Sequence, residues 1–298
     1  MSIKPPVSQD LRFLLIMLAA ATCLGLVPVF EKQAVATGSG LFTLVIAINV
    51  VTVACLAAPA WRQRPRNLLQ DWPAMLLIGA VASGVVVLLN LWALETTTAT
   101  HRGVFQAMYP AATAVFAFLL LGERLPWKAY ALIVLMFVGI ITMSVRGMRL
   151  ELAFGDLLLI LTLPMMGLCD AWAKKSLGNL QAEWLAFARF AFGSLALLII
   201  LLAAFLINGT RLNWPAIEAW IWILLSGISI GLGIILLYRG MKLKGASLAA
   251  ALVGLSPVLT LVVEWLFMGG RFTPIELMGM TLVISGGLLL SHPHFQKF

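Results

Sequence analysis

The sequence predicts an all-α integral membrane protein of ten transmembrane helices, arranged as two inverted-topology five-helix repeats. Three observations carry this reading. Of the 298 residues, 62% belong to the AVILMFWYC set and only 11% are charged, whereas a soluble domain has roughly 45–50% apolar and about 25% charged residues. With a mean hydropathy of +1.03, the chain has more apolar side chains than one water-surrounded core can hide. Charges, prolines and glycines divide it into ten apolar stretches, each near the roughly 20 residues that a spanning helix needs. Finally, the chain aligns with itself at a shift of 147 residues.

Taken in order, the first span is placed at 11–30, behind Lys4 and Arg12. Ala34-Val35-Ala36 follows it, so a cleaved signal peptide has to be considered. The apolar run is longer than a signal h-region and nine further spans follow, so it is read as a helix. The second span, 41–60, lies between Gly40 and Arg62, and the third, 73–94, between Pro73 and Glu95. The fourth, 101–121, contains Pro110 and stops at Gly122-Glu123-Arg124; the fifth, 127–145, stops before Arg146. The sixth, 156–174, opens on Asp156 and closes on Lys174-Lys175. The seventh, 184–207, runs from Glu183 to Gly209, and the eighth, 216–239, from Pro215 to Arg239. The ninth, 246–268, is bounded by Gly245 and Gly269-Gly270, and the tenth, 274–291, by Pro274 and His292.

An even number of spans puts both termini on one side, and Lys and Arg in the loops decide which. With the N-terminus inside, inner segments hold thirteen of the 20 basic residues and outer loops six, leaving Arg189 inside the seventh span. Both termini are therefore expected in the cytoplasm, and the membrane to be the plasma membrane, the inner membrane of a bacterium. The net charge of +8 is scattered in ones, twos and threes with no basic stripe, which argues against nucleic acid as a partner. Connections are short, so any function is carried by the helix bundle itself.

At the 147-residue shift, Tyr109-Pro110 meets Ser256-Pro257, Thr113 meets Thr260, and Leu119, Gly122, Arg124, Leu135 and Gly139 meet Leu266, Gly269, Arg271, Leu282 and Gly286. Asp10-Leu11 and Asp156-Leu157 match at 146. This divides the chain into 1–148 and 149–298. Five spans per half is odd, so the second copy enters the membrane from the opposite side. Inverted repeats of this kind place a substrate site near the midplane, between the halves.

The run Ala93-Leu94-Glu95-Thr96-Thr97, then Tyr109-Pro110, Leu121-Gly122-Glu123-Arg124-Leu125 and Gly139, resembles the motif of EamA-type members of the drug/metabolite transporter superfamily. Leu255-Ser256-Pro257, Gly269-Gly270-Arg271-Phe272 and Gly286-Gly287 echo it. The resemblance covers essentially the whole chain. It implies a ten-helix transporter of small organic molecules, with spans 1 to 4 and 6 to 9 around a central cavity and spans 5 and 10 peripheral. Two departures stand out. Gly270 occupies a position where the family often has Glu, and Asn49 lies near where the second span often has an Arg, which Arg189 preserves in the seventh.

Candidate site residues follow from polar groups inside apolar spans. Gly103, Gln106, Pro110, Thr113 and Ala117 share one face of the fourth span, and Ala250, Val253, Pro257, Thr260 and Glu264 one face of the ninth. The small members suit close helix packing. An amide or carboxylate aimed at lipid is costly, so Gln106 and Glu264 are expected to face a wet cavity. Tyr109 and Ser256 border these stripes and offer hydroxyls to a substrate. Asn90, in line with Ser83 and Thr97, is a hydrogen-bonding candidate, and Trp92, Tyr238 and Trp172 are candidates for stacking on a ligand.

Among ionisable groups placed within the spans, Glu95 reads as a solvated interfacial carboxylate. Asp170 shares a face with Thr162 and Met166 and either pairs with Lys174 at i,i+4 or binds a substrate ammonium or a proton. Arg189 is expected to hold the halves together by pairing with a carboxylate or helix-end carbonyls, or to serve as counter-ion for a substrate carboxylate. Glu264 has only Ala117 opposite it in the repeat, which makes it, with Asp170, a candidate for coupling transport to protons. Cys23, Cys55 and Cys169 are isolated in apolar runs, and His101, His292 and His294 form no metal-ligand pattern, so no metal or other cofactor is expected. No phosphate-binding glycine loop or nucleophile elbow is present either.

The expected function is secondary transport of small organic metabolites by alternating access, with export of amino acids or amino-acid-derived compounds as the first reading. Uptake of a vitamin or nucleoside-like compound is the alternative. From a different class, a membrane-embedded enzyme would need convergent catalytic groups, and an assembly scaffold would not need polar stripes in both halves. Whether the protein is a monomer or a homodimer is left open by the sequence.

Overall fold

A computed structural model describes residues 9–67, 71–97, 102, 105, 108–123, 126–144, 154–209, 214–268 and 273–291. Among them every regular element is a helix: α1 (Gln9–Ala36), α2 (Leu41–Arg62), α3 (Trp72–Thr96), α4 (Tyr109–Leu121), α5 (Trp127–Ser144), α6 (Phe154–Ser176), α7 (Ala182–Asn208), α8 (Ala219–Lys244), α9 (Ala246–Val253), α10 (Ser256–Met268) and α11 (Pro274–Ser291). Six of these, α1 to α3 and α6 to α8, are long and apolar enough to cross a membrane; the others contain shorter apolar helical stretches. Lipid is the natural solvent for their outer faces, where Val134, Val138 and Ile141 of α5 and Leu198, Leu202 and Leu206 of α7 stand exposed at three- and four-residue intervals.

Three departures from the predicted spans shape the site. The first predicted span stops at residue 30, yet α1 continues to Ala36. Glu31, Lys32 and Gln33 are good helix formers, and the chain turns only at Gly38, whose φ of 75° suits a residue without Cβ. The ninth predicted span is two helices, α9 and α10, parted at Gly254-Leu255. Pro257 lacks an N–H and its ring would clash with the carbonyl four residues back, so it sits in the first turn of a new helix. Pro110 plays the same part at the start of α4. Within α3, residues 79–85 form a π-helical turn. There α3 touches α7 closely: a Cβ on Gly79 would lie 2.6 Å from the Arg189 carbonyl oxygen, and one on Gly193 would lie 2.5 Å from the Cβ of Ser83.

Packing between the halves is reciprocal. Helix α1 lies on α8 and α10, as α6 lies on α3 and α4; α2 packs on α8 as α7 packs on α3; and α2 meets α7, α4 meets α9, and α5 meets α11. The last pair shows the relation in detail. A Cβ on Gly139 would meet Val283 Cγ2 at 2.9 Å, and one on Gly286 would meet Met136 Cγ at 2.5 Å, while Gly139 with Gly286 and Met136 with Val283 are each 147 residues apart. The remaining helices except α2 line a central cavity.

Candidate functional site

The cavity has a volume of about 130 Å³. Its walls come from α1, α3, α4, α6, α7, α8, α9 and α10 and from Arg102 ahead of α4. Most of the lining is apolar, including Leu24, Val27, Val86, Phe190, Ile230 and Ile234. Set into it are Glu31, Asn90, Arg102, Tyr109, Asp170, Arg189 and Ser256. Few apolar pockets carry so many convergent polar groups without a ligand to recognise.

Arg189 organises one end. Its Nε donates to Ser83 Oγ at 3.0 Å, and Nη1 donates to the Tyr238 hydroxyl at 3.0 Å; Nη2 lies 3.7 Å from Met166 Sδ. The π-helical turn of α3 presents Ser83 there, and Asn49 of α2 donates to the Ser83 carbonyl at 2.8 Å. Asn49 and Arg189, which the sequence reading compared as family positions, thus converge on one serine. Asp170 lies 3.9 Å from Arg189 Nη1 and accepts from Thr113 at 3.2 Å through Oδ2. Its Oδ1 is buried without a hydrogen-bond donor. A buried carboxylate with spare acceptor capacity beside a cation suits a cationic or proton guest.

A second cluster sits further along α3. The Tyr109 hydroxyl lies 3.0 Å from Thr162 Oγ1 and 3.3 Å from Asn90 Nδ2, joining α3, α4 and α6. Tyr109 and Ser256, the repeat-related residues, open α4 and α10 and both line the cavity. Beyond them, Glu31 and Arg102 form an ion pair in which both residues are buried.

Asn90, Tyr109, Asp170, Arg189 and Ser256 of the sequence-predicted set are therefore brought together. Tyr238 is fully buried behind Arg189 and holds its guanidinium, rather than offering a face to a ligand. Trp92 is corrected: it is 42% exposed and stacks edge-on against Phe154 at 5.8 Å. Two residues from Asn90, it points about 200° around the helix, away from the cavity. Trp172 faces a groove between α3 and α6. Gln106 and the three histidines lie outside the described residues, and of Glu264 only the backbone, within α10, is described. The Lys174 pairing considered for Asp170 is replaced by a tertiary one, since Lys174 donates to the Met241 carbonyl at 2.6 Å. Glu95 is exposed, as expected of an interfacial acid.

The sequence reading does not single out Glu31 and Arg102, since Glu31 follows the first predicted span and Arg102 stands at the outer edge of the fourth. A signal was present: Leu24, Val27, Glu31 and Ala34 recur at three- and four-residue steps, continuing one face of α1. Cys23, Cys55 and Cys169 are free thiols, and no cluster of potential metal ligands occurs among the described residues.

Comparison with known proteins gives a family. The model of the EamA-like transporter family matches residues 11–145 and again 153–292. One solved crystal structure superposes with a TM-score of 0.74 at 18% identity, over 93% of this chain and 96% of its own, a likeness of fold. No curated protein gives a significant sequence match.

Proposed function

The chain belongs to the EamA-like transporter family, and from that membership we propose a secondary transporter that exports amino acids or amino-acid-derived compounds by alternating access. Membership makes it an integral membrane transporter of the drug/metabolite superfamily. The observation that carries the finer reading is the composition of the cavity. Its charged lining pairs two carboxylates, Glu31 and Asp170, with two guanidiniums, Arg102 and Arg189, inside apolar walls. Such a site favours a small molecule that brings one charge of each sign together with apolar bulk, because a lone ion would leave one buried charge unmatched.

The halves 1–148 and 149–298 act in this reading as inverted repeats that rock about the cavity, with both termini in the cytoplasm. Reciprocal packing of α1 on α8 and α6 on α3 supports it. Asp170 is the working acid. With Oδ1 lacking a hydrogen-bond donor, though 3.9 Å from Arg189 Nη1, it takes either the substrate ammonium or a proton, and Arg189, fixed by Ser83 and Tyr238, takes the substrate carboxylate. Competition of ammonium and proton for one carboxylate yields exchange: a proton moves inward as substrate moves out. Glu264 of α10 remains a second coupling acid on the strength of its place in the sequence.

Proteoliposomes loaded with the common L-amino acids test this reading by an external acid pulse, with release followed by mass spectrometry. Release that accelerates with the pulse in wild type and loses its pH response in Asp170→Asn is the expected result. Folded wild-type protein that releases nothing under either condition overturns the proposal, and a Glu264→Gln variant run in parallel shows whether that acid shares the coupling.

A further inference from the structure

Two charged pairs face one cavity, and they belong to different levels of α3. Ser83, which receives Arg189, and Leu94, whose carbonyl takes Lys32 beside Glu31 at 3.5 Å, are eleven residues apart on α3. Part of that stretch is the π-helical turn that holds Ser83, so the two pairs meet the cavity at different levels of α3. Each pair offers one carboxylate and one guanidinium, so each by itself can receive the ammonium and the carboxylate of a small zwitterion.

The pair at the far end has the marks of a binding site rather than of a fastening. Glu31 is 1% exposed and Arg102 3%, and both border the cavity. Glu31 Oε1 and Arg102 Nε have no hydrogen-bond partner. A buried ion pair stabilises a fold only when further hydrogen bonds satisfy its remaining lone pairs and protons, and here they do not. The unused acceptor and donor are the groups that a zwitterion would complement: an ammonium on the Glu31 carboxylate and a carboxylate on the Arg102 guanidinium, whose planar fork suits it.

We infer that Glu31 and Arg102 form a second zwitterion-binding station, at the end of the cavity opposite Asp170 and Arg189, where substrate replaces each partner of the ion pair with its own opposite charge. This rests on the transporter reading above. It adds a step to the cycle, in which substrate passes between two stations.

The test uses full-length protein in proteoliposomes and three probe sets: the common L-amino acids, their N-acetyl derivatives, which keep only the anion, and their C-terminal amides, which keep only the cation. Wild type is expected to move the amino acids at least tenfold faster than either derivative. Glu31→Gln should shrink the advantage of amino acids over N-acetyl derivatives, and Arg102→Gln their advantage over amides, with the remainder supplied by Asp170 and Arg189. Because either single variant leaves a buried charge unpaired, the double variant Glu31→Gln with Arg102→Gln, which keeps a polar pair of similar shape, serves as the decisive case. It should fold, as judged by melting and gel filtration, and show both preferences reduced. A folded double variant with wild-type preferences overturns the station and leaves the transporter reading standing, whereas a wild type that moves only singly charged probes overturns both. A folded wild type that moves no probe overturns both.

Discussion

The carboxylate of Glu123, in the first half of the chain, caps the start of α9 in the second half through Ser247. It accepts from the backbone N–H groups of Ala246 and Ser247, each at 3.2 Å, and from Ser247 Oγ at 3.0 Å. Gly245 makes room for it: φ there is 94°, and a Cβ would come within 3.1 Å of Glu123 Oε1. The first N–H groups of a helix lack intrahelical partners and favour negative charge. Glu123→Ala should therefore cost about 1–3 kcal/mol, with Glu123→Gln between it and wild type. Thermal melting in detergent checks the order, and identical melting of all three would remove the cap from the stability of the fold.

Gly79 tests the contact between α3 and α7. A Cβ at this position would lie 2.6 Å from both the Arg189 carbonyl and Phe192 Cβ, and neither can give way without moving a helix. Gly79→Ala is expected to push α3 outward, carrying Ser83 away from Arg189 Nε. It should lower the melting temperature and cut transport at least tenfold. Unchanged flux would mean that Ser83 does not have to hold Arg189 for the cycle to run.

Much of this was legible in the sequence because a polar group inside an apolar span is conspicuous. Asn90, Tyr109, Asp170, Arg189 and Ser256 announced themselves in that way, and all line the cavity. Glu31 and Arg102 did not, because charges were used to draw the ends of spans, and a charge does not end a helix. Only Gly38 ends α1, seven residues after Glu31. Local rules failed for a related reason. Lys174 is four residues from Asp170 and on the same face, yet a carbonyl of α8 binds it instead, and no local spacing reveals a partner on another helix. Trp92 was an avoidable miss, since residues two apart on a helix cannot share a face.

Orientation across the membrane is predicted from the basic residues alone. Single cysteines introduced in a background lacking Cys23, Cys55 and Cys169, one in the 146–154 loop and one in the 61–70 loop, separate the two possibilities. An impermeant thiol reagent applied to intact cells should modify the first and spare the second. The reverse pattern would place both termini outside.

The repeat supplies its own control for the coupling acid. Thr113 and Thr260 are equivalent, 147 residues apart on matching faces of α4 and α10, but their hydroxyls bind different things. Thr113 donates to the Asp170 carboxylate at 3.2 Å, whereas Thr260 donates to the Gly25 carbonyl of α1 at 2.5 Å. The contrast follows from the helices they face, since α6 has a carboxylate where α1 offers only backbone: Gly25 leaves no side chain between them, and a Cβ there would lie 2.6 Å from the Ser256 carbonyl. Valine is close in shape to threonine and lacks the hydroxyl, so each substitution removes one hydrogen bond, worth about 0.5–1.5 kcal/mol to a neutral acceptor and more to a charged one. A donor to a carboxylate favours its ionised form. If Asp170 exchanges a proton during transport, Thr113→Val should move the midpoint of the transport pH profile upward, because the ionised acid loses a partner. Thr260→Val should lower the melting temperature and leave that midpoint where it was. Equal pH profiles for wild type and both variants would show that the proton is not carried at Asp170, and would leave Thr113 the same packing role as its twin.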